Sequence, residues 1–293
     1  SDNLRHEKYV SASLVVTCGA HISTIVLYLY APLCISFMSW EAVFFTSTAF
    51  CIISGIIFLV AISVILPKNS ETDITSSPVK KSTDKSVSLW HIFTKNGVLS
   101  IFACIIAMGF MRDGIESWLP TLYSEAFGRD SSESILVSVA LPIFSIISLF
   151  VVRIIHKGKV FNNEARGAGI LFAISAVLCV PLAILINVQL VACRIICLLL
   201  AGIVCACMHS CNFLLISCVP GRFAHSGRAS TIGGFCNACT YIGAAGSMYG
   251  IAMVSKHFGW VATVISWAFI CIVGVVFAIL SFKKYTAFLN EHR

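Results

Sequence analysis

An all-α polytopic membrane protein is the fold class this sequence predicts, and three observations carry the prediction. Of 293 residues, 58% are apolar and only 11% charged, against about 25% charged in a soluble domain. Mean hydropathy is +0.93, so the chain has too little polar surface to cover itself in water. The charges are also gathered into short intervals, leaving long stretches free of them. A helix needs about 20 apolar residues to cross a bilayer. Eight charge-free intervals supply the spans: Lys8 to Glu41, Glu41 to Lys68, Lys95 to Arg112, Glu133 to Arg153, Arg166 to Arg194, Arg194 to Arg222, Arg228 to Lys256, and Lys256 to Lys283.

Lysine and arginine set the orientation. The segments 1–9, 67–96, 153–166, 220–229 and 283–293 hold 16 of them, the alternating segments only 3, and Arg112 lies inside a span. By the positive-inside rule both ends and the long loop are cytoplasmic. The net charge of +7 is therefore a topology signal and not a nucleic-acid footprint. The chain opens at Ser1 with charged residues instead of Met and an apolar leader, which reads as a segment of something longer.

The first span, about residues 9–36, carries Cys18–Gly19–Ala20–His21 near its middle and Pro32, a potential bend, near its outer end. A histidine at membrane depth faces protein interior or a cavity. Two readings stand for His21: a neutral imidazole hydrogen-bonded between helices, or a ligand for substrate or proton. Met38–Ser39–Trp40–Glu41 turns into the second span, 42–66. Residues 67–95, rich in Ser, Thr and Lys, read as a flexible linker, with Leu89–Phe93 as an amphipathic lead-in.

The third span, beginning after Lys95, holds Arg112, Asp113 and Glu116 where a helix should still be in lipid. An arginine at a helix centre costs about 2.5–3.5 kcal/mol on insertion scales, so its presence needs a reason. An Arg112–Glu116 pair at i, i+4 is the structural reading. Yet a buried pair gains little over apolar residues of the same size. The functional reading is an anion-gripping arginine in a polar cavity, held by an acid until a ligand displaces it. Trp118 marks the interface and Pro120 the end of the segment.

The fourth span, 135–152, contains Pro142, which predicts a kink. The basic loop 153–166 reads as a solvated loop. Spans five (167–186) and six (190–219) meet in a tight turn at Asn187–Val188–Gln189. In span six His209 and Asn212 either reach a central cavity or bond between helices. The next span follows the basic loop 220–229, and its residues 234, 238, 246 and 250 are Gly, Ala, Gly and Gly. Small residues at multiples of four predict close helix approach, not a nucleotide loop, since no strand precedes them. Phe258–Gly259–Trp260 turns into the last span.

All fourteen cysteines fall inside spans, which favours packing over a disulfide framework. In Cys205–Ala206–Cys207–Met208–His209–Ser210–Cys211 the i, i+2 spacing sends Cys205 and Cys207 to opposite faces. Only Cys205 with His209, or Cys207 with Cys211, share a side. No metal site, cofactor or nucleophile–base pair is read from the sequence, and no enzyme is expected.

Three stretches are similar to one family. Arg112–Asp113–Gly114–Ile115–Glu116–Ser117–Trp118–Leu119–Pro120, Cys18–Gly19–Ala20–His21, and Ser230–Thr231–Ile232–Gly233–Gly234–Phe235 through Tyr241–Ile242–Gly243 to Phe258–Gly259–Trp260 resemble the major facilitator superfamily. Within it they resemble the organophosphate:phosphate antiporter branch of glycerol-3-phosphate and hexose-phosphate transporters. The resemblance implies helices five to twelve of a twelve-helix bundle. Residues 1–66 would be the last two helices of the N-terminal half, 67–95 the cytoplasmic linker, and 96–293 a complete six-helix C-terminal half; the first four helices would be missing. It further implies that Arg112 binds substrate phosphate, that His21 lies in the binding site, and that Tyr241 lines the cavity; His209 and Asn212, read from their place in span six, would shape the rest.

The sequence departs from the branch at Gly109, where some members carry tyrosine, and the loop after span four lacks the superfamily's common aspartate. The implied activity is exchange of a phosphorylated organic anion for inorganic phosphate by a monomer in the plasma (inner) membrane, with the lipid bilayer its surroundings and no nucleic-acid partner. Two alternatives stay open: proton-coupled transport of another organic anion, and a transporter-like receptor for a phosphorylated ligand.

Overall fold

A computed structural model describes residues 6–65, 93–94, 96–157, 163–223 and 227–291. The described residues are helical, with no strand among them. In order they form α1 (His6–Phe37), α2 (Trp40–Ile65), α3 (Val98–Phe127), α4 (Ser131–Ser138), α5 (Ala140–Lys157), α6 (Glu164–Leu185), α7 (Val191–Asn212), a π-helical turn (Phe213–Cys218), α8 (Val219–Arg222) and α9 (Ala229–Glu291). The linker and its lead-in lie outside the described residues, apart from residues 93–94.

Seven of these segments are long and apolar enough to cross a membrane, and the last contains two crossings. The 63 residues of α9 reverse at Gly259, whose φ of 79° and ψ of 179° break the helix. A side chain with a Cβ rarely adopts that backbone. Contacts to α3 show the reversal. The limb 229–258 runs beside α3 from Phe235 against Phe102 to Ile251 against Gly114, and Trp260 Nε1 donates to Glu125 at 2.9 Å. The second limb returns until Ser281 and Lys284 touch Gly97 at the start of α3. With the two limbs of α9 taken separately, the described residues supply eight helical stretches, one for each of the eight apolar intervals.

The helix ends alternate as the charge pattern requires. Arg153 donates to Ser11 at 2.6 Å, Asn163 to Thr286 at 2.8 Å, and Lys284 to the Thr94 carbonyl at 3.5 Å. These contacts gather the start of α1, the end of α5, the start of α6, the end of α9 and the residues just before α3 at one end of the bundle. At the other end Gln189 donates to the carbonyl of Ala126 at 2.8 Å, beside the Trp260 contact.

Local signals explain most boundaries. Asn163 caps α6 by accepting from the Arg166 amide at 3.1 Å, a preferred N-cap residue in that role. Gly128 closes α3 with φ 61° and its amide on the Ser124 carbonyl, the left-handed cap that glycine accepts without penalty. Pro120 does not end α3; the helix runs through it to Phe127. Proline's φ is helical and it forfeits one hydrogen bond, a loss that packing of Leu119, Leu122 and Tyr123 in the core offsets. Pro142 does interrupt its span, but the break falls between Ser138 and Ala140. That is where the ring displaces the carbonyl four residues back.

α3 is the most enclosed of the spans and lies between α7 and both limbs of α9. α2 keeps nearly all of its apolar surface, including Phe44, Phe45, Ile52 and Phe58, on the outside. The close approach of α3 to α9 is real but lies on another face than the sequence predicts. Gly234 meets nothing within 4 Å, while Gly246 and Gly250 only accommodate the Phe110 ring. The backbones instead touch at Gly109 against Thr240 and at Gly243 against Ile106, where a Cβ would overlap a carbonyl. Backbone cannot rotate away as a side chain can. Gly243→Ala is therefore expected to destabilise the protein by about 1–3 kcal/mol, and Gly234→Ala to be neutral. Equal unfolding midpoints for the two variants in detergent would contradict this packing.

Candidate functional site

The charged residues of α3 meet polar residues of α1 and α7 midway along their helices. Arg112 is the fifteenth of the 30 residues of α3 and His21 the sixteenth of the 32 of α1. His209 and Asn212 come from the inner part of the crossing 191–222. Such depth is where an ionisable group is costly and functional.

Arg112 is fully engaged. Its Nε donates to Asp113 Oδ1 at 2.8 Å and its NH2 group to Oδ2 at 2.9 Å, a two-pronged grip on one carboxylate. Its NH1 group donates to Asn212 Oδ1 at 2.8 Å. The side chains of Arg112 and Asp113 keep 17% and 20% of their exposure, so the pair remains reachable. The i, i+4 pair of Arg112 with Glu116 does not form. Adjacent helical residues normally point apart, but the long arginine side chain folds back onto Asp113, and Glu116 turns to α7.

There Glu116 Oε1 lies 3.1 Å from His209 Nε2. The imidazole of His209 in turn stands edge-on to that of His21, ring centres 4.4 Å apart. Both histidines are buried, with 6% and 5% of their surface exposed. Tyr28 of α1 and Cys205 of α7 lie within electrostatic reach of Glu116. Cys205 itself sits 3.8 Å from Ser145 Oγ, and all fourteen cysteines are free.

Four of the five residues singled out from the sequence thus converge: Arg112, His21, His209 and Asn212. Tyr241 does not join them. Its side chain is 70% exposed and makes no hydrogen bond or ring contact among the described residues, because the α9 face that meets α3 is the one carrying Thr240 and Gly243. Asp113 and Glu116 are full members of the site, which their spacing from Arg112 alone does not reveal.

Immediately after Asn212, α7 passes into the π-helical turn Phe213–Cys218. Single π turns are rare and concentrate at functional sites, since the wider turn rotates the following helix relative to the preceding one. No residue type in Phe213–Leu214–Leu215–Ile216–Ser217–Cys218 announces it. A second polar group lies near the basic end of the bundle. Glu164, with no exposed surface, accepts from Arg222 Nε at 2.8 Å and from the Tyr285 hydroxyl at 3.1 Å, tying α6, α8 and α9 together.

No match is found among curated proteins. A family model described as Major Facilitator Superfamily matches residues 1–247, which takes in α1 through most of the first limb of α9, including every member of the central site. With its crossings, its midpoint charges and that match, the chain belongs to the major facilitator superfamily, as a secondary transporter that passes the membrane many times.

Proposed function

We propose that the transporter carries a phosphorylated organic anion and exchanges it for inorganic phosphate. The observation that supports this is the state of Arg112. Its guanidinium, at the middle of α3, presents two parallel N–H donors to a carboxylate and a third to an amide. Two oxygens of a phosphate present the same spacing to the guanidinium fork, with greater charge. Asp113 is then the occupant that an incoming phosphate displaces, and Asn212 fixes the third edge of the guanidinium. His21 and His209 provide polar contacts beside it, with Glu116 holding His209 in place.

The reading places residues 1–66 and 96–293 in two halves that rock about a midplane site, as alternating access requires. It sets the protein as a monomer in the plasma (inner) membrane with both described ends cytoplasmic. Tyr241 would approach the substrate only in a conformation that brings its exposed face inward. The organophosphate:phosphate antiporter branch is the place in the superfamily that fits this chemistry.

Proteoliposomes preloaded with phosphate test the exchange. Uptake of a labelled sugar phosphate or glycerol phosphate is expected to rise when phosphate is inside and to stop when it is not. Uptake indifferent to internal phosphate would sink the antiport. The Glu116–His209 pair supports one rival, proton coupling, because both groups can exchange a proton. That rival predicts uptake driven by a pH gradient into phosphate-free vesicles.

A further inference from the structure

The three side chains beside Arg112 carry a property that phosphate binding does not use. One nitrogen from each of His21 and His209 and one carboxylate oxygen of Glu116 all lie within 4.8 Å of one another. Glu116 and His209 already stand 3.1 Å apart, about the separation of two donors on one ion with bonds of roughly 2.0–2.2 Å. His21 Nε2 is buried and has no hydrogen-bond partner, although its residue is 6% exposed. A buried polar atom left unpaired is unfavourable, and this one belongs to the ring packed edge-on against His209.

Charge points the same way. Asp113 neutralises Arg112 through two hydrogen bonds, so Glu116 is the acid whose charge arginine leaves over. One divalent cation would satisfy both rings and the carboxylate at once. Two nitrogens and one carboxylate oxygen are the donors that zinc-class ions take, with a fourth position left to water or an anion.

We infer that His21, Glu116 and His209 form a binding site for a divalent transition metal of the zinc class, and that the bound ion ties α1 to α3 and α7. The ligands come from three helices, with Glu116 95 positions after His21 and His209 93 positions after Glu116, so no local motif betrays them. His209 comes from the cysteine-rich stretch of α7, but no cysteine of that stretch is among the three ligands, and Cys205 is engaged with Ser145.

The test uses cobalt(II) as a visible probe on the full chain purified in detergent, with zinc as competitor. One cobalt per protein is expected to bind, with the ligand-field bands of nitrogen and oxygen donors and no thiolate charge-transfer band, and zinc should displace it. His21→Ala, Glu116→Gln and His209→Ala are each expected to weaken binding by at least about tenfold, and the exposed His257→Ala to leave it unchanged. The unmodified protein alone can refute the site: no cobalt or zinc uptake, or a thiolate band, would overturn it. So would undiminished binding in folded triad variants. Arg112→Lys is expected to retain cobalt binding while losing transport, so failure of the metal site and failure of the phosphate reading are told apart.

Discussion

Arg112→Lys in the full chain is expected to lower kcat/KM for the phosphorylated substrate by about 10- to 100-fold while leaving insertion and folding intact. The estimate follows from the contacts. Arginine offers Asp113 two hydrogen bonds and Asn212 a third, and lysine keeps the charge but not the planar fork. Losing the equivalent of one charge-assisted bond costs about 1.5–3 kcal/mol, which converts to the stated range at about 1.4 kcal/mol per factor of ten. The measurement is initial-rate exchange in proteoliposomes, with protein per vesicle normalised. Transport near the normal rate would remove Arg112 from substrate binding and leave its pairing with Asp113 as architecture. Asn212→Ala, which releases one bond to the same guanidinium, should cost less than Arg112→Lys.

A larger effect on stability is expected away from the centre, at Glu164. Its carboxylate has no exposed surface and is bonded from both sides, by Arg222 and by Tyr285. Glu164→Ala removes the carboxylate that accepts from the Arg222 guanidinium and from the buried Tyr285 hydroxyl. Breaking a buried pair by deleting one partner costs about 3–5 kcal/mol, a large share of a typical folding free energy. The expected result is a protein that unfolds far below the parent temperature in detergent, or is recovered mostly as aggregate. Glu164→Gln, which keeps one of the two accepting oxygens, should sit between the two. A parent-like unfolding midpoint for Glu164→Ala would show that α6, α8 and α9 are held by apolar packing alone.

Most of the architecture is legible in the sequence because the bilayer reduces it to a question of charge. Lys8, Glu41, Lys68 and their successors bracket each crossing, and the bias of lysine and arginine orders the ends that Arg153, Asn163 and Lys284 then bring together. Arg112 stands out for the same reason, as a charge where none belongs. What the sequence does not resolve depends on partners distant in the chain. Glu116 is the natural mate of Arg112 by helical spacing, and only the arrival of His209 from α7 draws it away. Glu164 looks like a loop residue until Arg222 and Tyr285 close around it. The close-packed face of α9 is set by Gly109 on α3 as much as by α9's own small residues, so a stripe at 234, 238, 246 and 250 points to the neighbouring face. The π-helical turn after Asn212 leaves no compositional trace at all.

The reversal at Gly259 has a mechanical meaning. Loops between carrier helices ordinarily supply slack, and slack lets neighbours travel separately. Here one residue joins two long limbs, with Thr263 Oγ already bonded to the Gly259 carbonyl at 3.0 Å. The limbs are free to tilt but have no spare chain with which to slide past each other. The Thr240–Gly243 face against α3 is thus joined through one residue to the returning limb, whose Ala278 and Ser281 abut Gly169 of α6 and Gly97 at the head of α3. α9 has the form of a folded lever, with its bend at one end of the bundle and both of its arms ending toward the other.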